Sequence, residues 1–128
     1  MSDLTFAVLD EIFSIHRLSP LSRIPDEVLT CSFYSVTKTG DELSIVCPSD
    51  IRFESENEET GWSCLKILGP LDFSLTGILA GVTAVLKDAE ISVFAVSTYD
   101  TDYILLKAGK LQEARKALME SGYHFAAG

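Results

Sequence analysis

Two short apolar runs flank a polar turn in the segment Phe94-Ala-Val-Ser-Thr-Tyr-Asp-Thr-Asp-Tyr-Ile-Leu-Leu106. The runs are rich in β-branched and aromatic residues, which favour strands, while the hydroxyl and carboxylate residues between them favour a turn. The sequence therefore predicts a hairpin, with one strand over Ile91–Val96, a turn over Ser97–Asp102 and a second strand over Tyr103–Lys107.

A helix is predicted directly upstream of this hairpin. Apolar residues recur there at steps of three and four, which is typical of a helix with one buried stripe. They are Leu75, Ile78, Leu79, Val82, Val85, Leu86 and Ala89. The helix is expected to end near Asp88 to Glu90. Before it, the apolar run Trp62–Leu68 predicts a strand that ends at Gly69-Pro70.

A second helix and a final strand are predicted after the hairpin. Gly109 interrupts the strand pattern, and Lys110–Glu120 has an apolar face at helical spacing that Ser121-Gly122 ends. Tyr123–Phe125 can then add an edge strand. The resulting order β-α-β-β-α-β is the ferredoxin-like arrangement, an α+β fold with two helices on one face of an antiparallel sheet.

The first half of the chain looks like a shortened copy of the second half. Ser35–Val46 aligns without a gap with Ala95–Leu106, so that strand, polar turn and second strand coincide. This pattern indicates an internal duplication. Pro25–Thr30 leaves room for only a turn or two of helix, so the first lobe is expected to be truncated.

The expected domain division is a truncated N-terminal lobe over residues 1–60 and a complete C-terminal lobe over residues 61–128. Both lobes are predicted to be ferredoxin-like. Leu4–Leu9 is expected to add a strand that forms a hairpin with Glu11–Ile15. The acidic stretch Arg52–Gly61 is interpreted as a solvated linker between the lobes.

Composition and charge limit the classes of function. Ten Lys and Arg against nineteen Asp and Glu give a net charge of −9. This charge would repel a phosphate backbone, so no nucleic-acid partner is expected. No apolar run approaches the roughly 20 residues that span a bilayer, and the N-terminal sequence lacks the features of a secretory signal. We therefore expect a soluble cytoplasmic protein without a membrane partner.

The sequence contains no pattern that predicts a metal site, a cofactor or a catalytic centre. Cys31, Cys47 and Cys64 are widely spaced and form no CxxC pair, so they are interpreted as reduced packing residues. His16 and His124 are isolated from other potential metal ligands. Nucleophile, phosphate-loop and dinucleotide motifs are absent. No cofactor and no enzyme activity are expected.

The start of the first predicted helix is one candidate binding element. In Phe73-Ser-Leu-Thr-Gly77, the first helical N–H groups lack intrahelical partners and lie at the positive end of the helix dipole, which favours a carboxylate. Gly77 allows close approach, and the Ser74 and Thr76 hydroxyls can donate or accept hydrogen bonds. The alternative is that Ser74 only caps the helix and Gly77 packs against the sheet.

The polar turn Ser97–Asp102 is the complementary candidate. An Asp carboxylate in this turn could pair with an α-ammonium group, so that the turn and the helix start together could hold a zwitterion. The first-lobe turn Thr37–Glu42 could supply a further wall. The alternative is a tight hairpin whose Asp and Thr side chains bond only to their own turn.

Three segments resemble the ACT-domain family. Phe33–Pro48 is similar to its first-lobe pattern, and Phe73–Leu79 with Ser97–Ile104 is similar to its second-lobe pattern. The resemblance is to small bacterial proteins with tandem ACT lobes, related to the CASTOR-type amino-acid sensors. It implies an amino-acid ligand held at a lobe or subunit interface, without chemistry on that ligand. The contacts implied by matching position are Ser74, Leu75, Thr76, Gly77, Ile78, Ser97, Thr98, Tyr99 and Asp100.

The resemblance implies a regulatory or sensor protein whose ligand is a free amino acid. Because the chain has one pair of lobes, a complete pocket is expected to require a homodimer. The alternative function is a dimerisation or protein-interaction module that binds no ligand, for which exposed strand edges are expected at Leu4 and Tyr123. A third interpretation is an amino-acid-processing enzyme with Asp100 or Asp102 as the base, and no motif supports it.

Overall fold

The computed structural model describes residues 4–68 and 77–127. They form two compact units: the N-terminal unit comprises residues 11–62, and the C-terminal unit comprises the described residues up to Asp10 and from Ser63 onward.

The strands are β1 (Thr5–Val8), β2 (Phe13–Leu18), β3 (Ser35–Lys38), β4 (Leu43–Pro48), β5 (Asn57–Ile67), β6 (Phe94–Ser97), β7 (Asp102–Lys107) and β8 (His124–Phe125). The helices are α1 (Ile78–Asp88), α2 (Leu111–Glu120) and the 3-10 helices Asp26–Thr30 and Ala108–Lys110. Within the described ranges, no helix has the length and apolar content needed to cross a membrane.

The sheet of the C-terminal unit has the strand order β6-β7-β5-β1-β8. The pairs β6–β7 and β1–β5 are antiparallel, whereas β1 and β8 are parallel, so the sheet is mixed. The predicted α+β class with two α-helices is confirmed for this unit, and β5, α1, β6, β7, α2 and β8 follow one another along the chain in the predicted order. β1 is an additional inner strand that the predicted arrangement lacks.

The position of β1 corrects the sequence-based prediction. A hairpin between β1 and Glu11–Ile15 was wrong, because Phe6 of β1 pairs with Ile67 of β5 and with Phe125 of β8. Phe6 is fully buried, and its ring centroid lies 5.3 Å from that of Phe125. Full burial of such a side chain stabilises the fold by roughly 1.5–3 kcal/mol, which favours this nonlocal pairing. Residues 4–10 therefore lie in the C-terminal unit, whereas the expected division placed them in the first lobe.

Helix α1 contributes its apolar stripe to the core of the C-terminal unit. Val82 and Leu86 are fully buried, as the helical spacing predicted. The helix ends at Asp88, where Glu90 adopts a left-handed φ of 61° and the N–H of Ile91 donates to the Leu86 carbonyl at 2.9 Å. The buried cluster comprises Phe6, Leu65, Ile67, Val82, Leu86, Ile91, Ile104, Leu106, Ala114 and Leu118.

The N-terminal unit is an antiparallel sheet with the strand order β3-β4-β2-β5, to which β5 contributes its first half. The 3-10 helix Asp26–Thr30 has the short length that was predicted and buries Val28. The core cluster of this unit comprises Leu18, Val28, Leu43, Ile45 and Cys47. Cys47 and Cys64 are buried free thiols, and burial raises the pKa of Cys47 to about 11, so that this thiol stays protonated.

The acidic stretch Arg52–Gly61 is not the linker that its charge indicated. Phe53 packs against the core of the N-terminal unit, and β5 begins at Asn57 and pairs with β2. Glu58 and Glu59 are exposed. Two of the charges that indicated a linker therefore occupy exposed positions of a strand, and Glu54 and Glu56 precede that strand.

The β3–β4 and β6–β7 hairpins have the same internal register. Ser35 pairs with Val46 and Phe94 pairs with Leu105, so equivalent positions differ by 59 residues. The predicted alignment placed Ser35 opposite Ala95 and is wrong by one residue. It matched residue types along the turn, and residue types do not fix which residues pair across a hairpin.

Candidate functional site

The turn that joins β6 and β7 is closed by one threonine. The backbone N–H of Thr98 donates to the Thr101 carbonyl at 2.8 Å. The Thr98 hydroxyl donates to the same carbonyl at 3.1 Å, and the Thr101 N–H lies 3.3 Å from that hydroxyl oxygen. Thr98 therefore holds the turn in one conformation through its backbone and its side chain.

Ser97 and Asp102 connect the two strands just below this turn. They are paired residues in the ladder, and the Ser97 hydroxyl donates to Asp102 Oδ1 at 2.5 Å. A hydrogen bond to an ionised acceptor is stronger than one between neutral groups. The Asp102 and Thr98 side chains thus bond within their own hairpin, as the alternative interpretation of the turn stated.

Thr101 fixes the turn to the rest of the C-terminal unit. It is 5% exposed, and its hydroxyl donates to the backbone carbonyl of Ile67 at 2.6 Å. Ile67 is the last residue of β5, the strand from which the chain continues towards α1. The turn is therefore anchored at the end of β5. No local pattern marks this role of Thr101, because its partner lies 34 positions away in the sequence.

Tyr99 and Asp100 form the outward tip of the turn. Tyr99 is 81% exposed and Asp100 is also exposed. Since the bonds of Thr98 and the anchor of Thr101 fix the backbone on either side, these two side chains extend from a held loop into solvent. A rigidly positioned loop with exposed polar groups is a common arrangement for binding a small ligand.

Gly77 directly precedes α1, and its backbone conformation gives a reason for a glycine at this position. Its φ is 77° and its ψ is 2°, a left-handed conformation that residues with a side chain adopt at a cost. Among the residues that the structure describes, no heavy atom other than those of its chain neighbours lies within 4 Å of a Cβ built on Gly77, so a left-handed backbone is the reason for a glycine that the structure gives. Ile78, the first residue of α1, packs against the core cluster. Ser74, Leu75 and Thr76 lie outside the described residues.

The histidines and acidic residues do not assemble into a metal centre in the described parts of the chain. No group of three or more His, Cys, Asp or Glu side chains in those parts is placed to hold a metal ion. His16 is buried in the N-terminal unit with its Nδ1 2.9 Å from Ser55 Oγ, and His124 is exposed on β8.

A comparison with models of protein families identifies the family of this chain. A model described as an ACT domain matches residues 57–120, which is half of the chain. The chain belongs to the ACT-domain family. A separate model for an N-terminal domain matches residues 11–51, within the N-terminal unit.

The human protein CASTOR3P is a curated relative of this ACT-domain chain. The two are 34% identical over 89 residues, which cover 59% of this chain and 55% of the human protein. The chain thus spans about half the length of the curated relative that it matches.

Solved structures have the same fold. Protein Atu0741 from Agobacterium tumefaciens is 35% identical, with a TM-score of 0.89 over 98% of this chain and 94% of the other. The ligand-free regulatory subunit of aspartate kinase from Thermus thermophilus is 11% identical, with a TM-score of 0.65 over 91% of this chain and 96% of the other. The second match shows likeness of fold alone. ACT domains are regulatory rather than catalytic domains, so the family indicates a ligand-binding regulatory role for this chain.

Proposed function

We propose that this protein is a regulatory sensor whose C-terminal ACT unit binds a free amino acid and carries out no chemistry on it. The observation that carries the proposal is the hydrogen bond from Thr101 to the Ile67 carbonyl, at 2.6 Å and buried. It fixes the turn that bears Asp100 at the end of the strand that continues towards α1. A zwitterion needs a negative and a positive partner, and these two elements provide one each.

In this proposal the two charged groups of the amino acid bind at different elements. The exposed Asp100 carboxylate accepts hydrogen bonds from the α-ammonium group. The ligand carboxylate faces the first turn of α1, whose N–H groups lie at the positive end of the helix dipole beside Gly77. Outside its chain neighbours, none of the described residues has a heavy atom within 4 Å of a Cβ built on Gly77, which supports a close approach of the ligand there. The proposed contacts are Ser74, Leu75, Thr76, Gly77, Ile78, Ser97, Thr98, Tyr99 and Asp100.

We further propose that the N-terminal unit is a truncated ACT lobe. We also propose that a homodimer completes the ligand site. The sensor then works in the cytoplasm, where it meets free amino acids. The common register of the two hairpins supports a tandem origin. Thr39 and Thr98 begin equivalent turns, each with its N–H donating to the carbonyl three residues on, at 2.9 and 2.8 Å.

The proposal is tested by thermal unfolding of the purified protein against a panel of the common amino acids. A ligand at about 100 times its dissociation constant adds about 2.7 kcal/mol to the free energy of unfolding. For a domain of this size that corresponds to a rise in melting temperature on the order of 10 °C. We expect one amino acid, or one chemical class, to produce this rise.

Two variants locate the binding. Asp100→Ala is expected to abolish the ligand-dependent rise, whereas Asp88→Ala removes an exposed carboxylate at the other end of α1 and is expected to retain it. If no amino acid raises the melting temperature, or if Asp100→Ala responds as the unchanged protein does, the proposed site is wrong.

A second candidate function is a dimerisation module without a ligand. Among the described strands, β6 pairs only with β7, so its other edge is available for pairing, whereas the expected edge at Leu4 is wrong because β1 is an inner strand. An exposed edge is a ready template for another strand. Sedimentation should then show a dimer without any amino acid, and Ala95→Lys on β6 should dissociate it, while Ala84→Lys on the exposed face of α1 should not.

A further inference from the structure

The N-terminal unit contains an open groove that is separate in sequence from every residue of the proposed amino-acid site. Its volume is about 350 Å³, and it is lined by Leu18, Ser19, Ser22, Glu54, Ser55 and Glu56. Liquid water occupies about 30 Å³ per molecule, so the groove has room for about ten waters or for a ligand with a comparable number of heavy atoms. It lies between the loop after β2 and the segment before β5.

The charged residues that line this groove are both acidic. Glu54 and Glu56 line it, and Arg17 contacts the second of these, with Arg17 Nε 3.5 Å from Glu56 Oε1. The same guanidinium also contacts Glu42, with Arg17 Nη1 3.4 Å from Glu42 Oε1. One positive charge is thus divided between two carboxylates, while Glu54 adds a third negative charge. This distribution favours a cation and disfavours an anion.

The hydroxyl groups of the groove present acceptors to it. Ser55 Oγ lies 2.9 Å from His16 Nδ1, with which it shares a hydrogen bond, and 3.3 Å from the Asn57 carbonyl. His16 is only 2% exposed, with its ring centroid 4.2 Å from that of Phe53, and therefore holds Ser55 in place from inside the unit. A hydroxyl oxygen has two lone pairs, so Ser55 Oγ keeps acceptor capacity for a ligand whichever partner donates in its bond to His16.

Ser19 is fixed in a comparable way on the opposite wall. Its hydroxyl oxygen accepts a hydrogen bond from the Leu21 N–H at 3.2 Å, and its carbonyl accepts one from the Ser22 N–H at 2.9 Å. These bonds close the loop that forms the wall. Leu18, whose apolar side chain is 6% exposed, also lines the groove.

From this arrangement we infer that the groove between residues 18–22 and 54–56 binds a small organic cation that carries a primary ammonium group. An ammonium group has N–H donors and a positive charge. It matches the acceptors of Ser19 and Ser55 and the carboxylates of Glu54 and Glu56. The aliphatic part of such a ligand lies against Leu18. This binding does not depend on the amino-acid site of the C-terminal unit.

The test is a titration with diaminobutane as the probe, followed through the backbone amide resonances of the complete chain. Saturable shifts are expected at residues 19, 21, 22 and 54–56, since Pro20 has no amide proton. Butanediol, a neutral molecule of the same shape, is expected to produce none. Glu54→Gln is expected to weaken the affinity about tenfold or more, because it removes a charged acceptor from the groove.

Two matched variants separate a specific site from general attraction to an acidic protein. Asp50→Asn removes an exposed carboxylate of the same unit that does not line the groove, and is expected to bind as the unchanged protein does. Ser22→Leu fills the groove without changing its charge and is expected to abolish binding. The inference is overturned if diaminobutane does not saturate, if Asp50→Asn and Glu54→Gln weaken binding equally, or if Ser22→Leu retains full affinity.

Discussion

The β3–β4 hairpin and the β6–β7 hairpin have the same register and the same threonine-closed turn, but their turns are held by different interactions. Glu42 and Thr101 occupy equivalent positions in the two turns. Glu42 contacts the exposed guanidinium of Arg17 at 3.4 Å, whereas Thr101 makes a buried hydrogen bond of 2.6 Å to the Ile67 carbonyl. A surface ion pair is worth 0 to about 1 kcal/mol, whereas loss of a buried hydrogen bond costs about 1–3 kcal/mol. The second turn is therefore the more firmly anchored.

The residues at the tips of the two turns also differ. Gly40 in the first turn corresponds to Tyr99 in the second, and Asp41 corresponds to Asp100. The Asp41 carbonyl accepts a hydrogen bond from Arg17 at 3.1 Å. One backbone geometry thus supports a structural contact in the N-terminal unit and an anchored, outward polar tip in the C-terminal unit, where we propose the amino-acid site.

The largest expected effect concerns the core positions of the two hairpins. Leu106 and Cys47 are equivalent and both fully buried. Leu106→Ala is expected to lower the free energy of unfolding by roughly 2–5 kcal/mol, because it removes three buried heavy atoms and leaves a cavity. Cys47→Ala removes one heavy atom and should cost clearly less. Urea unfolding measures both, and equal losses would contradict the assignment of Leu106 to the larger core cluster.

The next effect tests the anchors directly. Thr101→Val keeps the shape of the side chain but leaves the Ile67 carbonyl without its hydrogen bond, so we expect a loss of about 1–3 kcal/mol in the free energy of unfolding. Glu42→Gln, the matched change in the first turn, should cost less than about 1 kcal/mol. If the two variants unfold at the same urea concentration, the difference between the turns that we describe is absent in solution.

Substitution by alanine is expected to change the free energy of unfolding in opposite directions at Gly77 and at Gly40. Gly77→Ala forces a side chain into a left-handed backbone, which should cost about 1–2 kcal/mol. Gly40→Ala meets no neighbour within 4 Å and no positive φ, so it should stabilise the protein by about 0.4–1 kcal/mol through the unfolded chain. Thermal unfolding of both variants checks the signs. Destabilisation by Gly40→Ala would show that the first turn also needs glycine.

The smallest expected effect is a dependence on pH that belongs to the N-terminal unit. His16 on β2 pairs with Ile45 of the first hairpin, and burial lowers its pKa below 6.5, although the Glu58 carboxylate partly opposes this shift. As the pH falls below about 6.5, the unfolded chain takes up a proton at His16 before the folded chain does. Acid therefore favours unfolding, and the contribution of His16 is lost as the pH falls towards its folded-state pKa.

Urea midpoints at about pH 7.5 and about pH 5.5 measure this contribution. The decrease between them should be smaller in His16→Gln than in the unchanged protein. His124→Gln, which replaces the exposed histidine of β8, should leave the decrease as it is. The same decrease in all three proteins would mean that carboxylates alone set the acid sensitivity.

Structural features that depend on residues close together in the sequence were predicted correctly. The spacing of Val82 and Leu86 predicted a helix with a buried stripe, and the order of apolar and polar residues predicted the β6–β7 hairpin. The site was predictable only in part. The polar turn that bears Asp100 followed from the residue composition, whereas the left-handed backbone of Gly77 was not predicted.

By itself, the sequence determined the periodicity of the helices, the hairpins and the short helix of the N-terminal unit, because each follows from residues close together in the chain. The excess of acidic residues follows from the composition alone. Only the tertiary structure decided that β1 lies between β5 and β8, that Thr101 anchors the turn to Ile67, and that Ser55 is held by His16. In each of these cases the partner is distant in the sequence. Local propensity cannot select among distant strands or acceptors, whereas burial and the need to satisfy buried polar groups can.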